Sequence, residues 1–295
     1  MNLGYVGLGN MGGALARCLM LKQKLRVHDL RPEAVAAFAA DGAIATQGGA
    51  ALAAQCDVVI TCLPTSQNVR DAIFGKGGLL EGLSAGKIII DQTTGDPQET
   101  RAMAAELAKQ GIDLIDAPVS GGPHGAQAGT IAIMVGGSDE VFARVKPIFE
   151  IISPNVFHCG GVGNGHVTKL VNNVIAAGMR AVTFEAVAMG IKNGLTLESI
   201  VPVIDAGSAH SAVTQGTLPK LMDGMAPVNF SLALMLKDVR LATQLGVESR
   251  APMFMANMVR DMLQADAFNY GDGADLNETI RTFERNADVK IVKER

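Results

Sequence analysis

The sequence has no tryptophan and only two tyrosines, Tyr5 and Tyr270, so intrinsic fluorescence will be a poor reporter of binding. It also has no block of Lys and Arg: 25 basic and 29 acidic residues leave a formal net charge of -4. That excludes the electrostatic footprint of a nucleic-acid binder or of a protein held on an anionic membrane, while leaving small charged substrates open. The four cysteines, Cys18, Cys56, Cys62 and Cys159, form no CxxC and no metal-type pairing with His. Reduced thiols in a cytoplasmic setting, with neither a disulfide framework nor a metal site, are the expectation. The opening "MNLGYVGLGNMG" lacks a basic n-region and a small-residue cleavage site, so no signal peptide is expected. No uncharged run of about 20 strongly apolar residues occurs. The longest candidate, from Val167, is interrupted by Lys169, Asn172, Asn173, Gly178 and Arg180, and no membrane span is expected.

What is present is core. Apolar residues make up 48% of the chain and charged residues 18%, and 295 residues exceed one ordinary domain, so two domains are expected. Near-continuous apolar runs of the kind buried on both faces of a parallel sheet occur at 3–6, 25–29, 57–62, 87–91 and 112–116. Between them lie the helical patterns "RPEAVAAFAA", "GGAALAAQ", "SQNVRDAIF" and "PQETRAMAAELAKQ", with Pro32 and Pro97 where a first helical turn should begin. After Gly129, "TIAIMVGG" and "NVFHC" read as short strands around a helical "SDEVFARVKPIFEII".

A glycine cluster then precedes a proline-free stretch from 166 to 193, read as one helix about 42 Å long that joins two domains. Beyond it every pattern is helical. The expected fold is a Rossmann-type doubly wound α/β sheet domain over 1–163, followed by an all-α domain over 164–295. Helices as apolar as "FSLALMLK" imply burial between subunits, in a homodimer or homotetramer.

Three motifs carry chemistry. Gly7-Leu8-Gly9-Asn10-Met11-Gly12 is a G-x-G-x-x-G between a strand and a helix, where glycines permit a tight turn and close approach of a pyrophosphate to backbone N–H groups. Asp29 follows about 20 residues on at a strand end, where a carboxylate accepts hydrogen bonds from the adenosine ribose. An acid there favours NAD over NADP, a preference that Arg31 would soften. Ser120, Gly121 and Gly122 form a turn past a strand end. Two readings stay open for them: a cradle for a carboxylate, or a simple chain reversal.

Lys169 is the only charged side chain between Glu150 and Arg180, counting His as neutral. It is read either as a snorkelling surface residue or as a base. Asn173 lies one turn later on the same helical face. An amine desolvated beside a cationic nicotinamide gives up its proton more readily, which is what alcohol oxidation asks of the protein. The five histidines have no metal-ligand spacing; His124, in the glycine-rich turn, is read as loop surface or as a selector of a polar substrate group.

Four blocks in order, "GYVGLGNMG", "DAPVSGGPHGAQAGT", "GNGHVTKLVNN" and "KDVRLA", resemble the β-hydroxyacid dehydrogenases, the family that includes 3-hydroxyisobutyrate dehydrogenase and tartronate semialdehyde reductase. The resemblance spans nearly the whole chain. It implies that Lys169 is the general acid/base, that Asn173 helps hold the substrate and that Ser120, Gly121 and Gly122 bind its carboxylate. It further implies that Leu63, Pro64, Asn68 and Thr94 line the cofactor and that Lys237 stands near the nicotinamide. Related imine reductases and non-enzymatic nuclear members lack the lysine, so its presence argues for alcohol chemistry. The expectation is NAD-dependent oxidation of a small 3-hydroxycarboxylic acid, with NADP possible as cofactor. The alternatives are reduction of tartronate or succinate semialdehyde, and a non-catalytic dinucleotide-binding regulatory protein.

Overall fold

The computed structural model describes residues 1–224 and 227–292. It divides into two compact units, Met1–Lys169 and Leu170–Arg295. In the first unit the order is β1 (Leu3–Val6), α1 (Asn10–Met20), β2 (Leu25–His28), α2 (Pro32–Ala40), β3 (Ile44–Ala45), α3 (Gly49–Ala54), β4 (Val58–Thr61), α4 (Ser66–Phe74), β5 (Ile88–Asp91), α5 (Pro97–Ala108) and β6 (Asp113–Asp116). These strands form one parallel sheet in the order β3-β2-β1-β4-β5-β6, the doubly wound arrangement.

The strand sequences show why. β1, β4 and β5 are buried at every position, and a strand buried on both faces has no polar side to alternate with. Successive side chains feed two cores. Leu3, Tyr5, Val27, Ile60 and Ile90 pack with Leu15 and Leu19 of α1 on one face, and Val6, Val59 and Ile89 pack with Leu52, Val69, Ile73 and Met103 on the other. Pro32 and Pro97 occupy the first helical turns as expected, and Thr65 and Asp96 cap α4 and α5.

The first unit continues through β7 (Val119–Ser120), α6 (Gly122–Gln127), β8 (Ala132–Val135), α7 (Asp139–Ile152) and β9 (Val156–His158). Here β8 pairs antiparallel with β7 and parallel with β9, forming a separate three-stranded sheet. Two strands were not expected, β3 and β7. Each has two residues, too short for an alternation or an apolar run to register. The turn expected at 120–122 is a strand-to-helix junction. Ser120 ends β7, and Gly121 and Gly122 adopt φ of 133° and 64°, left-handed values that favour glycine.

α8 (Asn164–Lys192) begins two residues earlier than the sequence pattern predicts, and the division between the units falls within it. The second unit adds α9 (Leu197–Ala206), a π-helical turn, α10 (Leu218–Met222), α11 (Leu232–Glu248), α12 (Phe254–Tyr270), a short 3-10 turn and α13 (Ile280–Ala287). No strand occurs among its described residues, where an isolated bridge joins Ser231 to Asp275. By length and composition α8 has the apolarity to cross a membrane, with a mean hydropathy of 1.5. Part of that apolarity lies in a protein core: Phe184, Val187 and Ala188 are buried against α9, α10 and α13. Arg180 of α8 is buried too, paired with Asn277 and standing 4.8 Å over the Phe184 ring, and burial pulls its pKa down to about 10.

Candidate active site

Parallel register places the residues of interest on one edge of the first unit. Val6 pairs with His28 and Thr61, Thr61 with Asp91, and Asp91 with Asp116. The residues that follow, Gly7, Asp29, Leu63, Thr93 and Thr94, therefore emerge together at the carboxyl end of the sheet. Open α/β sheets bind ligands there.

The three fingerprint glycines answer to different constraints. Gly7 has φ of 95°, and a Cβ on it would stand 2.3 Å from the Cys62 carbonyl oxygen. A Cβ on Gly12 would stand 2.1 Å from the Gly7 carbonyl oxygen, so α1 could not pack so close to β1. A Cβ on Gly9 would meet no atom of the described residues within 4 Å, so none of them requires glycine there. Gly9 flanks the first turn of α1, whose N-terminus has no side-chain cap. Free amides and a bare backbone fit a pyrophosphate, for which this helix end supplies donors and the positive end of its dipole. Leu8 is buried, Asn10 opens α1 and Met11 is half-buried.

Asp29 sits beside this loop. Its carboxylate accepts the Leu8 amide at 2.7 Å and pairs with Arg31, whose backbone N–H and guanidinium both donate to it. Burial alone would raise this carboxyl, but the hydrogen bonds from Arg31 and Leu8 outweigh it and hold it below the usual carboxylate range. The acid and the guanidinium thus share one corner.

The next two strand ends are tied to each other. The Leu63 amide donates to the Thr93 hydroxyl at 3.0 Å, and the Asp96 amide donates to Ser66 Oγ at 2.7 Å. Leu63 and Thr94 are half-buried along this edge, and Pro64 is exposed. Asn68 is exposed and serves locally. Its amide donates to Thr65 Oγ1, whose hydroxyl donates back to Asn68 Oδ1 at 2.8 Å, closing the start of α4. Ser120, half-buried, ends β7 in the second sheet.

Lys169 is 9% exposed, on the turn of α8 that follows His166. Its helix is clamped at the N-terminus by Asp116, whose two oxygens accept the amides of Gly163 at 2.6 Å and His166 at 2.7 Å. Gly165 is required for this approach, because a Cβ would stand 2.3 Å from the Met134 carbonyl oxygen. The lysine is thereby held to the end of β6. The snorkelling alternative does not fit a residue this buried.

In the second unit, Asn173 and Lys237 meet on one acid. Asn173 Nδ2 donates to Asp238 Oδ2 at 2.6 Å, and Lys237 Nζ lies 3.0 Å from Asp238 Oδ1. Asp238 is 2% exposed. Neither Asp116 nor Asp238 was singled out by spacing or composition, and His166 stood with the other histidines as uninformative. Asp116 and Asp238 lie inside two of the four sequence blocks, which is the only signal that pointed to them.

The chain matches a family model described as the NAD binding domain of 6-phosphogluconate dehydrogenase over residues 2–161. A second model, described as the NAD-binding of NADP-dependent 3-hydroxyisobutyrate dehydrogenase, matches residues 163–283. The chain is 34% identical to 2-(hydroxymethyl)glutarate dehydrogenase of Eubacterium barkeri over 99% of its own length and 97% of the relative's. It is 36% identical to 3-hydroxyisobutyrate dehydrogenase of Pseudomonas aeruginosa, over 92% of this chain and 95% of that one. Among solved structures, Mycobacterium tuberculosis 3-hydroxyisobutyrate dehydrogenase with L-serine superposes with a TM-score of 0.86 at 28% identity, covering 95% of this chain and 98% of that one. Motif order, strand-end geometry and these full-length matches lead to one conclusion: the chain belongs to the β-hydroxyacid dehydrogenase family of NAD(P)-dependent oxidoreductases.

Proposed function

We propose that this chain oxidises a small 3-hydroxycarboxylic acid to the corresponding semialdehyde or oxo acid, with Lys169 as general acid/base. The observation that carries the reading is the placement of Lys169: a buried lysine on a helix turn clamped to the same sheet edge that bears the fingerprint loop and Asp29. The dinucleotide, when bound, supplies the acceptor for the hydride leaving the alcohol carbon. Gly7 to Gly12 and Asp29 hold its pyrophosphate and ribose, and Leu63, Pro64, Asn68 and Thr94 line it.

The amine of Lys169 takes the hydroxyl proton as the carbonyl forms, and returns it in the reverse direction. Ser120 with the amides at Gly121 and Gly122 holds the substrate carboxylate. Asn173 holds the substrate oxygen, with Asp238 fixing its amide and Lys237 adding positive charge near the nicotinamide. The relatives support the substrate class. Both named activities are on hydroxymethyl-bearing carboxylic acids, and L-serine, present with the mycobacterial enzyme, is itself a 3-hydroxy acid.

The test is NADH formation at 340 nm by wild type and Lys169→Ala, with 3-hydroxyisobutyrate, glycerate, L-serine, threonate and 4-hydroxybutyrate. Oxidation of a 3-hydroxy acid by wild type, with kcat of the variant down by about three orders of magnitude while NADH still binds, is the expected result. Turnover of 4-hydroxybutyrate alone, or a fully active variant, overturns the reading.

The working form is a homodimer or homotetramer. In support, Val171, Ile175, Val182 and Met189, spaced by four, seven and seven residues, form an apolar stripe along α8, each more than half exposed. Sedimentation as a monomer at micromolar concentration would refute this.

A further inference from the structure

The turn that carries Lys169 is anchored by a second device besides Asp116. His166 precedes the lysine by three residues, and its side chain is completely buried. Its Nε2 lies 2.8 Å from the Thr93 carbonyl oxygen, which can only accept, so Nε2 carries a hydrogen. Its Nδ1 lies 3.0 Å from Thr100 Oγ1 in the first turn of α5. The ring is flush with the loop after β5: a Cβ on Gly95 would stand 3.2 Å from His166 Cε1 and 2.7 Å from Ser66 Oγ. Thr94 belongs to this loop.

Two buried carboxylates face the ring, Asp91 Oδ2 at 3.9 Å from Nε2 and Asp116 Oδ2 at 4.0 Å from Nδ1. Asp91 is itself fixed by the Thr61 hydroxyl and the Thr93 amide on its other oxygen. Asp116 grips the same residue from behind, through the His166 amide. We infer that His166 is a positioning residue, whose imidazole locks the first turn of α8 to the loop after β5 and so sets where the Lys169 amine stands against the cofactor edge.

The two anchors remove different degrees of freedom. Asp116 accepts two amides at the helix end, and Arg101 of α5 donates to the Asn164 side chain there. The imidazole bonds lie to the side, on α5 and the β5 loop, and oppose rotation of this turn about the helix axis. Lys169, at i+3 from His166, shares its flank of the helix, so a rotation moves the amine directly. Near-attack geometry tolerates little, and a displacement of about 1 Å lowers a rate by about a hundredfold. A histidine kept only as core filling would be replaceable by an apolar side chain of similar size.

The inference rests on the reading of Lys169 as acid/base, and the experiment separates the two. His166→Leu keeps volume and removes the donor, whereas the longer amide of His166→Gln still reaches the Thr93 carbonyl. Both are made in the full chain beside Lys169→Ala. Hydrogen exchange followed by mass spectrometry reads the segment 163–170, and kinetics with NAD and the 3-hydroxy acid that wild type oxidises best reads function.

For His166→Leu the expected results are exchange about tenfold faster in that segment alone, kcat down about 10- to 100-fold and NADH affinity within about threefold of wild type. His166→Gln should recover most of both. Unchanged exchange in His166→Leu overturns the proposal. So does faster exchange with unchanged kcat, and so does a parallel fall of kcat, affinity and melting temperature that Gln does not rescue. If Lys169→Ala is as active as wild type, the reading of the lysine fails, and the exchange of 163–170 still decides whether His166 holds the helix. Should His166→Leu not fold, His166→Asn, whose amide is too short to reach Thr93, replaces it.

Discussion

The two glycines Gly9 and Gly12 should respond in opposite ways to the same added methyl group. At Gly12 the new Cβ would lie 2.1 Å from the Gly7 carbonyl oxygen and 3.0 Å from Cys62 Cβ. An ordinary carbon–oxygen contact is about 3.2 Å or more, so α1 must retreat from β1 by about 1 Å. Overpacking of that kind destabilises by about 1–3 kcal/mol, beyond the roughly 1 kcal/mol that alanine gains over glycine inside a helix. At Gly9 the methyl meets no atom of the described residues within 4 Å, and the backbone there, φ of -68° and ψ of -169°, is open to any residue. Replacing a glycine cap by alanine changes stability by less than about 1 kcal/mol.

The cofactor reverses the ranking. A methyl on Gly9 stands where the pyrophosphate must approach, so Gly9→Ala should weaken NADH binding by at least about 100-fold, with the fold intact. Gly12→Ala should lower the apo melting temperature by several degrees, at about 2–4 °C per kcal/mol for a unit of this size, and lose affinity only as the helix end moves. Calorimetry without ligand and titration of nicotinamide fluorescence separate the two effects. A Gly9→Ala protein that binds NADH like wild type, or one that melts several degrees lower, would refute the division of labour among these glycines.

Asp29→Ala should lower the NAD-to-NADP ratio of kcat/KM by at least about tenfold, and Arg31→Ala should weaken use of NADP alone, because a carboxylate reads the ribose hydroxyls and a guanidinium reads a 2'-phosphate. An unchanged ratio in both variants would show that this corner does not contact the ribose. Burial pushes the Cys56 thiol up to about 11 and the Cys62 thiol up to about 12. At pH 8 their thiolates are scarcer than that of an ordinary thiol by about a hundredfold or more, so both should react with a disulfide reagent far more slowly in the native than in the unfolded protein; labelling of either at the unfolded rate would contradict these shifts. Burial also raises the Asp91 carboxyl, by more than His166, Thr61 and Thr93 lower it. A raised folded-state value means that stability is lost as pH climbs from the ordinary carboxylate range through the raised one. Asp91→Asn keeps an acceptor for Thr61 and Thr93 and removes that loss, so its melting temperature relative to wild type should rise with pH across that window; a relative fall would mean that attraction to His166 dominates.

How much of this was legible in the sequence depended on the distance over which each residue acts. β4 and β5 were legible because a strand buried on both faces writes its environment into consecutive residues. The two-residue β3 and β7 were not, since they owe their pairing to neighbours distant in sequence. The fingerprint glycines were legible for a similar reason, their turn and its helix being contiguous. Lys169 stood out because a lone charge in apolar company is itself a local anomaly. The residues that hold its helix turn, and the acid that holds Asn173, carry no such mark. Asp116 meets Gly163 and His166 across 47 and 50 positions, His166 meets Thr93 across 73, and Asp238 meets Asn173 across 65. Nothing in "DAP" or "GHV" announces those bonds. Gly165 illustrates the same limit: glycine reads as a helix breaker, yet it stands inside α8 because Met134 and Asp116 leave no room for a Cβ. The chemistry of such a site is therefore written in short motifs, while its geometry is set by buried polar pairs between motifs, and those pairs are where substitutions should lower kcat while leaving the binding of cofactor nearly untouched.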